Sequence, residues 1–272
     1  MNATVSFGAR QRVMLPLLAV LSLAAFLWPL WVSDTSSVSH STDAPLVLIS
    51  LMAILAIITV AEVSADGIDP RAATMLAVLS GVGAVLRPLG AGTAGIEPMF
   101  FVLILAGRAL GPAFGFVLGS STMFVSALLT AGMGPWLPFQ MIAAAWVGFG
   151  AGLLPPARGR PERVLLVCYA VVAGFLYGAL MNMWFWPFAI GTDTSISFVA
   201  GDPLGANLVR FFLFELVTSL GWDLGRAITN GLLIWFAGPA LLIVLRRAAV
   251  RASFRAEPPV FTEADRGERS SA

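Results

Sequence analysis

Long apolar stretches alternate with short polar loops along most of the chain. A helix needs about 20 apolar residues to cross the hydrocarbon core of a bilayer, and several stretches reach or approach that length. Helices are predicted at Val13–Val32, Pro45–Val63, Ala72–Leu86, Met99–Ala109, Ala113–Leu129, Phe139–Leu154 and Val164–Phe188. The pattern predicts an all-α, polytopic membrane protein.

The last apolar stretch, Leu208–Leu245, is about twice the length that one span needs. We interpret Asn207–Thr218 as an interfacial helix or lid and Gly221–Leu245 as the final span. This gives about eight transmembrane helices. The chain then divides into a two-helix extension at residues 1–70, a six-helix core at 71–247 and a charged, disordered tail at 248–272.

Composition and charge support a membrane location and suggest an orientation. The chain is 58% hydrophobic and 11% charged, whereas soluble domains average about 25% charged residues. Cytoplasmic loops of membrane proteins are enriched in basic residues. Placing both termini in the cytoplasm puts most arginines inside and leaves Arg87 and Arg210 outside. We therefore expect a multi-pass protein of the cell membrane with both termini cytoplasmic.

Several chemistries are disfavoured by residues that the sequence lacks. It has a single His, His40, and a single Cys, Cys168, so a metal site built from these residues is not expected. A P-loop signature for nucleotide hydrolysis and the H-E-x-x-H and G-x-S-x-G catalytic motifs are also missing. We expect no metal, no cofactor, no catalytic residues and no nucleic-acid partner.

Glycines recur at four-residue intervals in the middle of the chain, at Gly107, Gly111, Gly115 and Gly119. On a continuous helix they would share one face, and small residues let helices in lipid approach closely. Gly111 and Pro112 instead favour a turn. We predict a tight hairpin at Leu110–Pro112 whose two arms touch through the flanking glycines.

Polar and aromatic residues concentrate in the loops predicted to lie outside, which are Arg87–Pro98, Thr130–Phe139 and Trp184–Gly205. Ionisable groups inside a membrane are costly and usually face a cavity or one another. The candidate substrate-binding residues are Arg87, Glu97, Trp136, Gln140, Asn182, Trp184, Trp186, Trp222, Asp223 and Arg226. The tryptophans could instead form an aromatic belt at the interface, and Asp223 and Arg226 could simply pair along one helix face.

Small residues also form a stripe on the third predicted helix, at Ala73, Ala77 and Gly81. Such a stripe can serve packing between helices of the same chain. It can equally form a docking surface for another membrane subunit, and the sequence leaves both possibilities open.

The middle of the chain resembles the substrate-binding S component of energy-coupling factor (ECF) transporters, a class of vitamin importers. The resemblance covers about Arg71–Arg247. It is carried by five stretches, which are Ala73 with Ala77, the loop Arg87–Pro98, Ala106–Pro112 with Gly115 and Gly119, Gly132–Gln140 and Ala143–Pro155.

The resemblance implies a function and a set of partners. S components bind a vitamin or its precursor near the outer face, dock through a small-residue stripe onto a transmembrane T component, and depend on two ABC ATPases. Ala73, Ala77 and Gly81 match the docking stripe. The implied ligand is a flat heteroaromatic compound, and the pattern is similar to cobalamin-type or uncharacterised actinobacterial members.

Two other functions compete with this hypothesis. A membrane-embedded enzyme could use Glu97, Asp223 and Arg226, but the sequence offers it neither a nucleophile–base pair nor a metal-ligand set. A solitary transporter without ATPase partners is the other alternative. We expect a transport subunit and not an enzyme.

Overall fold

Helices make up the architecture wherever the chain is described. The computed structural model describes residues 9–30, 49–54, 56–58, 61, 70–90, 94–189 and 194–253. Within these ranges the α-helices are α1 (Ala9–Phe26), α2 (Pro70–Leu86), α3 (Met99–Leu110), α4 (Pro112–Leu129), α5 (Leu137–Leu153), α6 (Arg160–Ala189), α7 (Leu204–Thr218), α8 (Leu220–Phe236) and α9 (Gly238–Ser253). Short 3-10 turns lie at Trp28–Leu30 and Pro88–Gly90. The all-α prediction is confirmed.

Membrane spans can be recognised among these helices by length and hydropathy. The segments Pro70–Gly90, Pro112–Leu129 and Arg160–Ala189 are long and apolar enough to cross a bilayer, and the bent pair α7 and α8 adds a fourth if it crosses as one segment. Shorter apolar helices lie at Leu17–Phe26, Ile49–Ile58, Met99–Leu110 and Leu137–Leu153. Each predicted span therefore overlaps an apolar helical segment, and the protein is a polytopic membrane protein.

The predicted hairpin at Leu110–Pro112 is present. Helix α3 ends at Leu110 and α4 begins at Pro112, and Gly111 between them has a φ of 102°. That left-handed backbone suits glycine because it has no Cβ. Proline fits the first turn of α4 because the amide hydrogen it lacks would have no partner within the helix.

Glycines bring α3 and α4 into backbone contact, as predicted. A Cβ atom built on Gly115 would lie 2.9 Å from the Cα of Gly107. The same Cβ would lie 2.3 Å from the carbonyl oxygen of Gly148 on α5, and one on Gly107 would lie 2.0 Å from that oxygen. The three helices thus meet at Gly107, Gly115 and Gly148.

Helix α5 carries a matching stripe of small residues, and the pairing of this stripe with α4 was not predicted from the sequence. A Cβ on Gly119 would lie 2.3 Å from the carbonyl oxygen of Ala144, and one on Gly152 would lie 2.5 Å from the Cα of Pro112. Together with Gly148, these contacts run along α4 and α5. Side chains at these positions would force the helices apart.

The C-terminal helices differ from the prediction of one continuous span at Gly221–Leu245. Helix α8 ends at Phe236 and α9 begins at Gly238. Pro239 explains the break because proline has no amide hydrogen to donate to the carbonyl one turn earlier. Helix α9 continues to Ser253, so the first residues of the expected tail at 248–272 are helical; residues 254–272 lie outside the described residues.

Helix α7 precedes α8 as a separate element, as predicted, although it starts earlier, at Leu204. The two helices meet at Ser219 with a bend of 65°. The interfacial position of α7 stays a prediction.

The first helix and the 3-10 turn that follows it pack against the core. The rings of Phe26 and Phe139 meet edge to face, with centroids 5.3 Å apart. The indole nitrogen of Trp28 donates a hydrogen bond to the backbone oxygen of Trp184 at 3.0 Å, and its ring stacks on Phe188. Of the second predicted helix, Pro45–Val63, the structure describes residues 49–54, 56–58 and 61, all of them helical.

The contact between α4 and α5 can be tested with two glycine substitutions. Gly148→Ala is expected to destabilise the protein by about 1–3 kcal/mol, because the new methyl group would lie 2.2 Å from the carbonyl oxygen of Gly115. Gly221→Ala on α8 is the control, since a Cβ there meets nothing within 4 Å. It should be neutral or stabilising by up to about 1 kcal/mol. Thermal melting in detergent micelles measures both, and equal melting temperatures would refute the close contact.

Candidate functional site

A cavity of about 280 Å³ lies at one end of the bundle, where α2 and α4 end and α5 and α8 begin. Four predicted substrate-binding residues, Arg87, Glu97, Trp136 and Trp222, line it. The other lining residues are Pro88, Gly90, Ser126, Thr130 and Gly132. Ser126 and Thr130 were not predicted, because two hydroxyl groups near a helix end form no pattern that separates them from ordinary capping residues.

Arg87 is held in the cavity wall by neutral partners. Its Nη2 atom donates to Oε1 of Gln140 at 2.9 Å, and its Nη1 atom donates to Oγ of Ser126 at 3.4 Å. The ion pairs among the described residues do not include Arg87. Its positive charge is therefore not matched by a carboxylate in this part of the chain. Gln140 contributes to the site by orienting Arg87.

Two tryptophans supply aromatic surface to the cavity. Trp136 is 44% exposed and Trp222 is 45% exposed. The ring of Trp136 lies against the backbone of Gly134, where a Cβ would come within 2.4 Å of Cζ2 of the indole. The backbone of Trp222 lies against Gly95, where a Cβ would be 1.9 Å from its carbonyl oxygen. Trp136 and Trp222 can occupy these positions because Gly134 and Gly95 have no side chains that would collide with them.

Behind the cavity, Arg226 connects three parts of the structure. Its Nε atom donates to Oε2 of Glu97 at 2.6 Å, and its Nη1 atom donates to Oδ1 of Asp223 at 2.6 Å. Nη1 also donates to the backbone oxygen of Gly174 on α6 at 2.9 Å. The pairing of Asp223 with Arg226 left open by the sequence is present, and Glu97 extends it to the loop before α3.

The charges in this network are shielded from solvent. Arg226 is 7% exposed and Asp223 is 4% exposed. The guanidinium carbon of Arg226 lies 4.9 Å from the ring centroid of Tyr177 and 5.7 Å from that of Phe100, in cation–π geometry. Asp223 fits against α6 at Gly178, where a Cβ would lie 2.0 Å from Oδ1. Buried charges need such partners because desolvation otherwise makes them very costly.

Asn230, one turn beyond Arg226, fixes the start of α3 to α8. Its Oδ1 atom accepts a hydrogen bond from the backbone nitrogen of Phe101 at 2.7 Å. Its Nδ2 atom donates to the backbone oxygens of Glu97 at 3.0 Å and of Arg226 at 2.8 Å. One face of α8 thus holds the part of the cavity wall that contains Glu97. This face carries Asp223, Arg226 and Asn230.

Asn182 lies outside the cavity wall. Its Nδ2 atom donates to Oε1 of Glu215 at 3.0 Å and also to Oγ of Ser219. These bonds join α6 to the corner between α7 and α8. Asn182 thus stabilises the packing of α6 against this corner, a role that the sequence could not distinguish from contact with a ligand.

Trp184 and Trp186 are buried in the protein and do not line the cavity with Trp136 and Trp222. The ring of Trp184 stacks on Phe139, with centroids 4.1 Å apart and planes 8° apart. Trp186 is 1% exposed, and its indole nitrogen donates to the backbone oxygen of Ile196 at 2.8 Å. Only two of the four tryptophans predicted to bind substrate therefore line the cavity, because sequence position alone does not reveal which way each ring points.

The small-residue stripe on α2 faces away from the described core. Ala73 and Ala77 are exposed, and a Cβ on Gly81 would meet nothing within 4 Å. The buried face of the same helix instead uses Ser80, which hydrogen-bonds Ser121 on α4 at 2.7 Å. Among the described residues, the stripe is therefore not used for packing within the chain.

Comparison with protein families gives a match over the middle of the chain. The family model described as "ECF transporter, substrate-specific component" matches residues 71–234. This range covers more than half of the chain and includes the cavity, the Arg226 network and the stripe on α2. No match to a curated protein or to a solved structure was found. The chain belongs to the family of substrate-specific components of ECF transporters.

Proposed function

We propose that this protein captures a vitamin or vitamin precursor at the outer face of the cell membrane. Substrate-specific components of ECF transporters bind small molecules and work with a T component and ATPase subunits. The ligand, its binding residues and the assembly around this chain are our proposal. The observation that carries it is the cavity in which two half-exposed tryptophans accompany Arg87.

The cavity wall favours a flat ring with an anionic substituent. The exposed rings of Trp136 and Trp222 offer faces on which a heteroaromatic ring can stack, and aromatic pairs contribute roughly 0.5–1.5 kcal/mol beyond the area they bury. Arg87 can form a charge-assisted hydrogen bond with an anion. Gln140 and Ser126 already hold its side chain, which lowers the entropy lost on binding.

Cavity size narrows the class of ligand further. A volume of about 280 Å³ lies at the lower limit of typical small-molecule sites, which span roughly 300–1,000 Å³. A compound with one ring system suits this space, whereas cobalamin, with a corrin ring and a nucleotide loop, is far larger. We therefore favour a small heteroaromatic vitamin or precursor over a cobalamin-type ligand.

Glu97, Asp223 and Arg226 have a supporting role in this proposal. Glu97 and Asp223 each form an ion pair with Arg226, which also donates to the backbone oxygen of Gly174. Groups engaged in this way hold the cavity wall together and are poorly placed to act as the acid, base or nucleophile of a membrane-embedded enzyme. This favours the transport function over the enzymatic alternative.

The distribution of arginines supports an orientation with both termini in the cytoplasm. Arg108 and Arg246 meet at Glu162, at the end of the bundle opposite the cavity. Basic residues are enriched on the cytoplasmic side of membrane proteins. The cavity then opens toward the outside, within a six-helix core at 71–247 that carries the 1–70 extension and the 248–272 tail.

We propose that Ala73, Ala77 and Gly81 dock onto the T component. Their exposure on α2 leaves room for another helix to approach the backbone. Two ABC ATPases attached to the T component would then supply the energy for transport.

Ligand binding can be tested by native mass spectrometry of the purified chain, followed by binding measurements with whatever small molecule co-purifies. Trp136→Leu and Arg87→Gln should each weaken binding at least about tenfold, since a lost charge-assisted hydrogen bond or ring contact costs roughly 1–3 kcal/mol. Trp235→Leu is the control, because Trp235 is 42% exposed but does not line this cavity. Unchanged affinity in both cavity variants would refute the site.

Docking can be tested by co-expressing the chain with the T component and ATPases. Ala77→Trp should abolish co-purification with the T component because the large ring holds the helices apart, and ligand binding should persist. Val82→Trp is the control, since Val82 is exposed but lies roughly 140° around α2 from Ala77. Normal assembly of the Ala77 variant would refute the docking surface, and a wild-type chain that binds ligand but no T component would support a solitary transporter.

A further inference from the structure

A second cavity, of about 350 Å³, lies at the opposite end of the bundle, between α6 and α9. Its wall contains Arg160, Arg163 and Arg246 together with a single carboxylate, Glu162. We call it the arginine pocket. Three guanidinium groups around one acid make its lining electropositive.

Glu162 is already fully engaged. It is 3% exposed and accepts from Nε of Arg108 at 2.8 Å and from Nη1 of Arg246 at 3.1 Å. Arg160 and Arg163 take part in none of the ion pairs among the described residues. The pocket therefore keeps a net positive charge, because Glu162 balances neither Arg160 nor Arg163.

Two hydrogen-bond donors in the pocket residues are buried and have no partner. They are the Nε atoms of Arg163 and Arg246. Buried polar groups are normally hydrogen-bonded, so an unpaired donor calls for an explanation. An anion with several oxygens, such as a phosphate group, would accept hydrogen bonds from the guanidinium groups that line the pocket and neutralise the excess charge.

An apolar groove of about 540 Å³ lies beside this pocket, between α6 and α8. Val167, Val171 and Ile228 are among the side chains that line it. Trp235 joins the two features, because it lines the groove and its ring centroid is 5.3 Å from the guanidinium carbon of Arg163. Charged and apolar surfaces thus adjoin, as in a site for an amphipathic molecule.

We infer that this end of the protein binds one anionic phospholipid, with its phosphate in the arginine pocket and an acyl chain along the adjoining groove. Basic pockets between transmembrane helices are suited to anionic lipid head groups. A soluble phosphate would fill the pocket but leave the groove unused. The inference does not depend on which substrate the transporter carries.

Native mass spectrometry of the full chain in detergent tests the inference, with phosphatidylglycerol and phosphatidylcholine of identical acyl chains as probes. Phosphatidylglycerol should bind more tightly. Arg163→Gln and Arg160→Gln should each weaken its binding about fivefold, which corresponds to roughly 1 kcal/mol per arginine near the membrane surface. Arg160 is exposed, so its removal should leave the fold intact even if the Arg163 variant is unstable.

Arg247→Gln is the matched control. Arg247 lies beside Arg246 in sequence but is exposed and outside the pocket wall, so its loss should change binding less than twofold. Equal losses in the Arg163, Arg160 and Arg247 variants would reduce the effect to general charge attraction and overturn the inference. Equal binding of the two lipids would do the same. Thermal stabilisation by millimolar inorganic phosphate as large as that by phosphatidylglycerol would assign the pocket to a soluble anion instead.

Discussion

A buried guanidinium group holds together the end of the bundle that carries the cavity lined by Arg87 and Trp136. Arg226 bonds to Glu97 in the loop before α3, to Asp223 on its own helix and to the backbone of α6 at Gly174. An unpaired charge at this depth would be strongly destabilising, so the three elements must converge. Glu97 lines the cavity, and Trp222 directly precedes Asp223, which means that the same network positions two parts of the wall.

The rest of the bundle relies on a different constraint, the close approach of helix backbones in lipid. Apolar helices gain little by leaving lipid for one another, so their packing depends on backbone contact. Gly107, Gly115 and Gly148 provide that contact where α3, α4 and α5 meet. The cavity lined by Arg87 lies at one end of the bundle, and the arginine pocket, between α6 and α9, lies at the other. The proposed ligand site and the proposed lipid site therefore lie at opposite ends of the bundle.

Much of this organisation can be predicted from the sequence. Hydrophobic length predicts the helices, Gly111 and Pro112 predict the hairpin, and unusual polar residues in loops point to Arg87 and Trp136. The break near Gly238 and Pro239 was also visible in the sequence, but the long apolar run around it favoured a single helix. The period-four stripe containing Gly148 was visible as well, yet its pairing with α4 depends on tertiary structure.

Side-chain direction is what the sequence could not provide. Trp184 and Trp186 occur in the same polar and aromatic context as Trp136, but they are buried against other rings. Asn182 similarly fits a ligand contact on residue type, although its amide is bonded to Glu215 and Ser219. Position along a predicted span gives the level of such a residue in the membrane, whereas only the packed structure shows whether its side chain faces a cavity or the core.

The thermal stability of Arg226→Met, compared with that of Arg210→Met, tests the central claim most directly. Loss of Arg226 leaves the carboxylates of Asp223 and Glu97 without their partner, and the expected cost is roughly 3–5 kcal/mol. Arg210 pairs with Asp202 at a similar distance of 2.6 Å, but both side chains are partly exposed, so its loss should cost about 0–1 kcal/mol. An Arg226 variant that melts like the wild type and loses only ligand affinity would contradict the structural role and make Arg226 a ligand-binding residue.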